Sequence, residues 1–378
     1  MKKLLALLAA AVIAVALSGC SIGDIFGDYG GKTEVIEYVY SYYDIPKGDT
    51  EGESPYSYCY ATLDNTERKW YKQFLNAAEE MKKGFINIGN CGSYTEKDIN
   101  RVYTAVLYDH PDIFWMPYTY VIIYNGSKGD TKIAFDYENN KYSARYAVEK
   151  SERDSMREQL RNRVDELVAE AEKYGSEYEK EKFFNDAVCA GTEYAETELS
   201  HTAYGALIEG KAQCEGYSRA LQILCNNAGI ECELVCGFSD GEDHMWNYVK
   251  TDGEWSFTDV TWNDTALENP SYVYFNIDIT RLYYDHTLAA DNFSHHDCLS
   301  GSNMYYTKEG ADLNGRFDEC AELIKQRDSQ GLKYAELLCE YSTDDEVSSR
   351  LARLQLHLDG IELDRYVYYR DVAVVYWE

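Results

Sequence analysis

Basic residues are scarce in this chain. Lysine and arginine number 36 against 66 aspartates and glutamates, which leaves a net charge of −30 over 378 residues. Such a balance opposes nucleic acid or anionic lipid surfaces as partners held by bulk attraction, and it favours solubility. The chain also lacks a Gly-rich phosphate loop, a basic patch and an internal repeat, so nothing marks a nucleotide cradle or a solenoid. Prolines number only 5, whereas tyrosines number 36. The tyrosines read as amphipathic packing, with the lining of a carbohydrate or peptide groove as the other reading.

The 11 cysteines match no zinc-ligand spacing, and a hydrophobic fraction of 45% is enough for a core. The chain is long enough for two or three domains. Residues 204–264 hold its chemistry. From Gly216 to Ala228, Tyr217, Ala220, Leu221, Leu224 and Ala228 recur at helical spacing, and Gly229 is placed to end the helix. Cys214 therefore stands at a helix N-terminus, where unpaired N–H groups and the helix dipole favour an anion such as a thiolate. Ile230, Cys232, Leu234, Cys236 and Phe238 alternate as a strand, and two further strand-like runs flank Asp252-Gly253, a hairpin signal.

With that loop, Thr251 faces Glu254, Trp246 faces Asp259 and His244 faces Thr261. His244 and Asp259 then become diagonal neighbours on one sheet face, within reach of a hydrogen bond. Each group acquires a role. Asp259 fixes the imidazole, His244 moves the proton, and Cys214 attacks a carbonyl carbon to give a thioester. Water would release an acid from it and a primary amine would give a new amide. The chemistry needs no cofactor and no metal.

The runs GKAQCEGYSRA (210–220), HMWNYV (244–249) and FTDVTWND (257–264) resemble the transglutaminase-like superfamily, whose thiol domains have a papain-like fold. The resemblance covers roughly residues 165–307 and implies Cys214, His244 and Asp259 as the triad. It does not by itself imply cross-linking, because the superfamily includes peptidases, amidases and inactive binding domains. Relatives of this type often carry an Ile-His-Asp-like segment in the preceding helix, where this chain has Phe184-Asn185-Asp186. The Cys214 N–H is the first oxyanion donor, with Gln213 and Tyr204 as candidates for the second. Trp246 and Trp262 are expected to shield the imidazole and shape the acyl pocket, with ordinary packing as the other reading. The alternative function is a non-catalytic domain that binds peptide, protein or glycan.

The expected fold class is α+β: a core with the Cys214 helix on an antiparallel sheet, an N-terminal α+β domain and a small C-terminal α/β module. Residues 1–20 read as a secretion signal ending in Leu17-Ser18-Gly19-Cys20, which resembles a bacterial lipobox. Cys20 would then carry lipid and anchor the protein at the outer face of the cell membrane, where it meets a protein, peptide or cell-wall amide substrate. Residues 21–35 form a tether, 36–160 the first domain, 161–307 the thiol domain and 308–378 the terminal module. Helices are expected from a cap at Asn65 or Thr66, over 96–108, 152–174 and 178–194, and twice in the terminal module, which ends in one strand-like run, YVYYRDVAVVYWE.

Setting aside Cys20 and Cys214 leaves nine of the 11 cysteines, an odd number, so at least one more thiol is free. Cys225, Cys232 and Cys236 fall on apolar positions and read as core. His110 reads as a loop or packing residue and His201 as surface polar. His295-His296-Asp297-Cys298 offers four potential ligands, but consecutive positions cannot readily converge on one ion.

Overall fold

Alternating apolar residues in short runs give three antiparallel sheets of three or four strands and two small sheets of two strands each, and helices pack between them to make an α+β protein. The structure, a computed structural model, describes residues 33–39 and 57–378 apart from 126–129, 140–141, 266–270, 291 and 341. The lipobox and nearly all of the tether lie outside the described residues, and Thr33 already begins the first strand.

That strand, β1 (Thr33–Val39), is followed by α1 (Asn65–Glu80), β2 (Ile86–Asn90), α2 (Glu96–Asp109), β3 (Thr119–Asn125) and β4 (Asp130–Ala134). The sheet order is β1-β3-β4-β2. The cap of α1 is Asp64, one residue ahead of the expected positions, because its carboxylate accepts from the Thr66 and Glu67 N–H groups while Glu67 reaches back to the Asp64 N–H.

Two helices lead into the thiol region: α3 (Lys150–Ala171) and α4 (Glu177–Gly191), the latter capped by Ser176 and Glu179. Then come α5 (Cys214–Asn227), β5 (Cys232–Ser239), β6 (Glu242–Thr251), β7 (Glu254–Thr258), the short α6 (Val260–Thr265) and β8 (His286–Leu288), with sheet order β7-β6-β5-β8. Asp252 and Gly253, both at positive φ, make the hairpin turn, and Thr251 pairs with Glu254 as the spacing required. The expected strand through 254–264 is cut short: it ends at Thr258, and Val260 to Thr265 turn into helix. The Asp259 carboxylate supplies the physical reason, since its Oδ1 accepts from the Trp262 N–H at 3.1 Å.

The last region holds α7 (Phe317–Ser329), β9 (Tyr334–Leu338), α8 (Asp344–Gln355), β10 (Leu363–Tyr369) and β11 (Val372–Trp377), with sheet order β9-β11-β10. The terminal strand-like run is a hairpin folded at Arg370-Asp371, with Tyr369 opposite Val372. One buried apolar cluster runs from Tyr58 through α2 and α5 to Phe293. A second joins the other face of the β5–β7 sheet to the C-terminal region. The thiol region is thus gripped from both sides.

Candidate active site

Helix α5 begins at Cys214, with Gln213 as its N-cap, so the Cys214 N–H is one of the first orphan donors of the helix. The close approach that sets this start depends on Gly216. A Cβ there would stand 2.3 Å from the Ser200 carbonyl oxygen and 2.8 Å from the Ala212 Cβ. Ten cysteines are described, all of them free, and nine are buried; Cys214 alone among them is partly exposed.

His244 enters from β6. Its Nε2 lies 2.7 Å from Asp259 Oδ2, and the Cys214 side chain lies close enough to favour the charged form of the same imidazole. Burial would hold the imidazole in its neutral form, but the Asp259 carboxylate and the Cys214 thiol outweigh it and push His244 up to about 10. Burial would likewise raise the Asp259 carboxyl; the charge and hydrogen bond of His244, helped by His286, hold it far below the usual carboxylate range. The order of groups is thiol, imidazole, carboxylate, with the last two buried and the thiol partly exposed.

The line does not stop there. His286 on β8, fully buried, places Nε2 3.0 Å from the same Asp259 Oδ2 and Nδ1 2.5 Å from Asp285 Oδ1. The register explains the meeting: His244 pairs with Gly237 and His286 with Ser239, both on β5, so the two imidazoles share a face with β5 between them. Gly237 makes the space, because a Cβ there would stand 2.6 Å from Trp246 Cη2 and 2.0 Å from the Thr287 carbonyl oxygen. His286 was not singled out in the sequence. Its one signal is an Asp-His pair, Asp285-His286, like Asp243-His244, and the chain has another in Asp109-His110.

His244, Asp259 and His286 each offer one ligand atom within 4.8 Å of the others, the one such group of three among the described residues that could hold a metal ion. Both imidazole nitrogens, however, aim at a single carboxylate oxygen at hydrogen-bond distance, the arrangement of two N–H donors on one acceptor.

Trp246 stacks on His244 at 5.8 Å and meets His286 edge-on at 5.0 Å, and Trp262 lies 6.3 Å and 5.4 Å from the same two rings. The Trp246 indole N–H is buried without a partner among the described residues. Gln213 accepts from the Ser200 hydroxyl at 3.4 Å. Tyr204 is turned towards α3: its hydroxyl donates to Gln159 at 2.8 Å and its ring stacks on Phe114. In the helix before the core, Asn185 binds Asn263 at 2.9 Å and Asp186 accepts from the Tyr272 hydroxyl, so both hold α6 and its following loop in place.

The remaining histidines lie apart from this line. His110 ends α2 with its ring 5.9 Å from Tyr71, and burial pushes its imidazole towards the neutral form. His201, 40% exposed, has Nδ1 3.6 Å from Glu215. His296 stacks on Trp255 at 3.7 Å and bonds Glu233 at 2.9 Å, while Cys298 is buried in the second apolar cluster.

Comparison with known proteins matches residues 165–260 to the model of the transglutaminase-like superfamily. Kyphoscoliosis peptidases of Mus musculus and Homo sapiens are each 31% identical over 80 residues, 17% of this chain and 12% of theirs, so the chain spans about an eighth of those relatives. Among solved structures, that of a TGase is 24% identical over 30% of this chain and 34% of its own, with a TM-score of 0.26. A candidate cysteine protease from Cytophaga hutchinsonii is 12% identical over 43% and 55%, with a TM-score of 0.27. The chain carries a transglutaminase-like superfamily domain.

Proposed function

We propose that this protein is a thiol enzyme that opens an amide or peptide bond through an acyl-thioester. The observation that carries the reading is the His244–Asp259 hydrogen bond beside a partly exposed Cys214 that starts a helix and acts on the same imidazole. The Cys214 sulfur attacks the carbonyl carbon, and the oxyanion meets the Cys214 N–H. His244, charged after taking the thiol proton, returns it to the leaving amine as the C–N bond breaks. Water, deprotonated by His244, then displaces the sulfur to give an acid; an amine in its place gives a new amide. Tyr194, 49% exposed and stacked beside Tyr217, lies within electrostatic range of Cys214 and borders the place a substrate would occupy.

The test is the pH dependence of Cys214 alkylation, followed by peptide mass mapping, in the wild type and in His244→Ala. Rapid labelling near neutral pH that collapses without the imidazole supports an activated thiol, and hydroxylamine trapping of an acyl group on Cys214 would then identify substrates. Slow labelling that ignores His244 overturns the reading and favours a binding domain. We also infer export and lipid anchoring at Cys20 from the sequence of residues 1–20. Incorporation of labelled palmitate into the wild type but not into Cys20→Ser tests it; equal incorporation, or none, overturns it.

A further inference from the structure

The charged line that begins at Cys214 ends in the C-terminal region. His286 is the pivot. Both of its ring nitrogens face carboxylate oxygens, Asp259 on one side and Asp285 on the other. A neutral imidazole has one N–H and can donate to only one of them, whereas an imidazolium donates to both. Asp285 in turn accepts from the Tyr274 hydroxyl at 2.6 Å and pairs with the Arg370 guanidinium.

Arg370 occupies the two-residue turn between β10 and β11, at a φ of +59°, a conformation that residues with a Cβ avoid. Its guanidinium lies 5.5 Å from the Tyr274 ring, 6.0 Å from Tyr284 and 5.5 Å from Tyr369, and the Tyr369 hydroxyl is 3.2 Å from that of Tyr274. Beside it, Asp371 pairs with Arg281 at 2.8 Å. The groups that face His286 are therefore Asp285 from its own strand, Asp259 after β7, His244 from β6, and the Trp246, Trp262 and Tyr274 rings. Arg370 acts at one remove through Asp285, and Cys214 at one remove through His244.

We propose that His286 is a positioning residue of the thiol site, held as an imidazolium between Asp259 and Asp285, with Arg370 of the C-terminal region fixing Asp285 in place. It fixes Asp259 Oδ2 against His244. As a cation with its ring 5.5 Å from that of His244, it also offsets part of the pull of Asp259, so that His244 can release its proton to the leaving group. This rests on reading Cys214, His244 and Asp259 as a thiol site. It makes the C-terminal region part of the catalytic apparatus, with Arg370 as its contact.

The experiment measures Cys214 alkylation against pH in the full-length protein with a chelator present, alongside thermal melting. The variants are His286→Gln, Arg370→Gln, Arg370→Lys and His244→Ala. In His286→Gln the amide can still reach Asp259 but carries no charge. Loss of a cation that favours the thiolate moves the acid limb of the profile up by about one pH unit, a fall of about tenfold in rate at a fixed pH on that limb. Arg370→Gln leaves Asp285 unanchored beside His286 and shifts the limb the same way by less, and Arg370→Lys, which can keep the pair with Asp285, restores it. A purely structural role would scale the rate at every pH and leave the limb where it was. A folded His286→Gln protein with an unmoved limb overturns the proposal. Should that variant not fold, the histidine nitrogen–proton correlation spectrum of the wild type decides: two protonated ring nitrogens on His286 at pH 7 support it, and one overturns it. His244→Ala separates the two levels. If it leaves labelling unchanged the thiol reading itself fails; if it collapses labelling while His286→Gln does nothing, only the positioning role is lost.

Discussion

The regions before and after the thiol domain grip it by different physics. On the N-terminal side the contacts are apolar packing and single hydrogen bonds to the nucleophile helix and its neighbouring strand β5. The ring of Tyr108 lies 5.8 Å from that of Phe293 and its hydroxyl 2.7 Å from Cys236 Sγ, Gln222 donates to the Tyr108 carbonyl at 2.9 Å, and Arg219 donates to the Leu107 carbonyl. On the C-terminal side the contact that reaches the site is a run of alternating charges, Arg370, Asp285, His286 and Asp259. The first grip decides where Cys214 stands. The second bears on how the base behaves, because charge acts on an imidazole at distances where packing does not.

The largest expected effect breaks the charged side at its innermost member. Asp259→Asn should lower turnover, or His244-dependent labelling, by about 10³-fold or more, since an orienting carboxylate replaced by an amide can favour the wrong imidazole tautomer. Rates in the folded variant check this, and a loss under tenfold would remove Asp259 from the mechanism. Next, Arg219→Ala breaks the N-terminal side. It removes the guanidinium that lies 2.7 Å from the buried Glu215, and breaking such a buried pair costs about 3–5 kcal/mol in stability, read by urea unfolding.

A subtler test concerns Glu181, which supports the strand next to Asp259 from α4. Burial pushes its carboxyl from 4.5 up to about 8, against the hydrogen bonds from Thr258 and Asn276. A carboxyl that binds its proton more tightly when folded contributes stability that is fully present below its unfolded value and is lost as pH rises through the folded one. The wild type should therefore lose stability between about pH 4.5 and pH 8 from this group. Glu181→Gln should flatten that slope, because its amide can donate to Thr258 while its oxygen accepts from Asn276. Melting temperatures across the window decide it; an unchanged slope would contradict the assignment. The smallest effect belongs to Lys308→Ala. This lysine pairs with Asp252 at 3.0 Å with both side chains about a third exposed, so its loss should cost under about 1 kcal/mol. A larger cost would mean that surface ion pairs, not the buried chain, hold the C-terminal region in place.

Much of the site was legible because its signals are local. Tyr217, Ala220, Leu221 and Leu224 mark the inward face of α5, Gly229 ends it at a φ of +84°, and Asp252-Gly253 forms the hairpin turn. Counting outward from that turn brings His244 and Asp259 together, but the expected pairs Trp246–Asp259 and His244–Thr261 do not form: the strand ends at Thr258, and Asp259 meets the imidazole from the start of α6. The local rule fails where a side chain overrides propensity. Val260 and Thr261 favour a strand, but the Asp259 carboxylate caps a helical turn instead. It fails again at Arg370-Asp371, a turn without glycine, so that two strands read as one. His286 was invisible for a third reason: its partner lies 27 residues away and is reached across an intervening strand.

The burial of nine of the ten described cysteines has a practical side. Among the described residues a mild electrophile added to the native protein meets one thiol, so a fluorophore or crosslinker can be placed there without removing any of the buried cysteines. Each opening of the core uncovers others, and the number of tags per chain becomes a gauge of unfolding. In peroxide the same arrangement is a weakness. A sulfenic acid at Cys214 has no exposed thiol among the described residues to condense with, so further oxidation would proceed to irreversible forms.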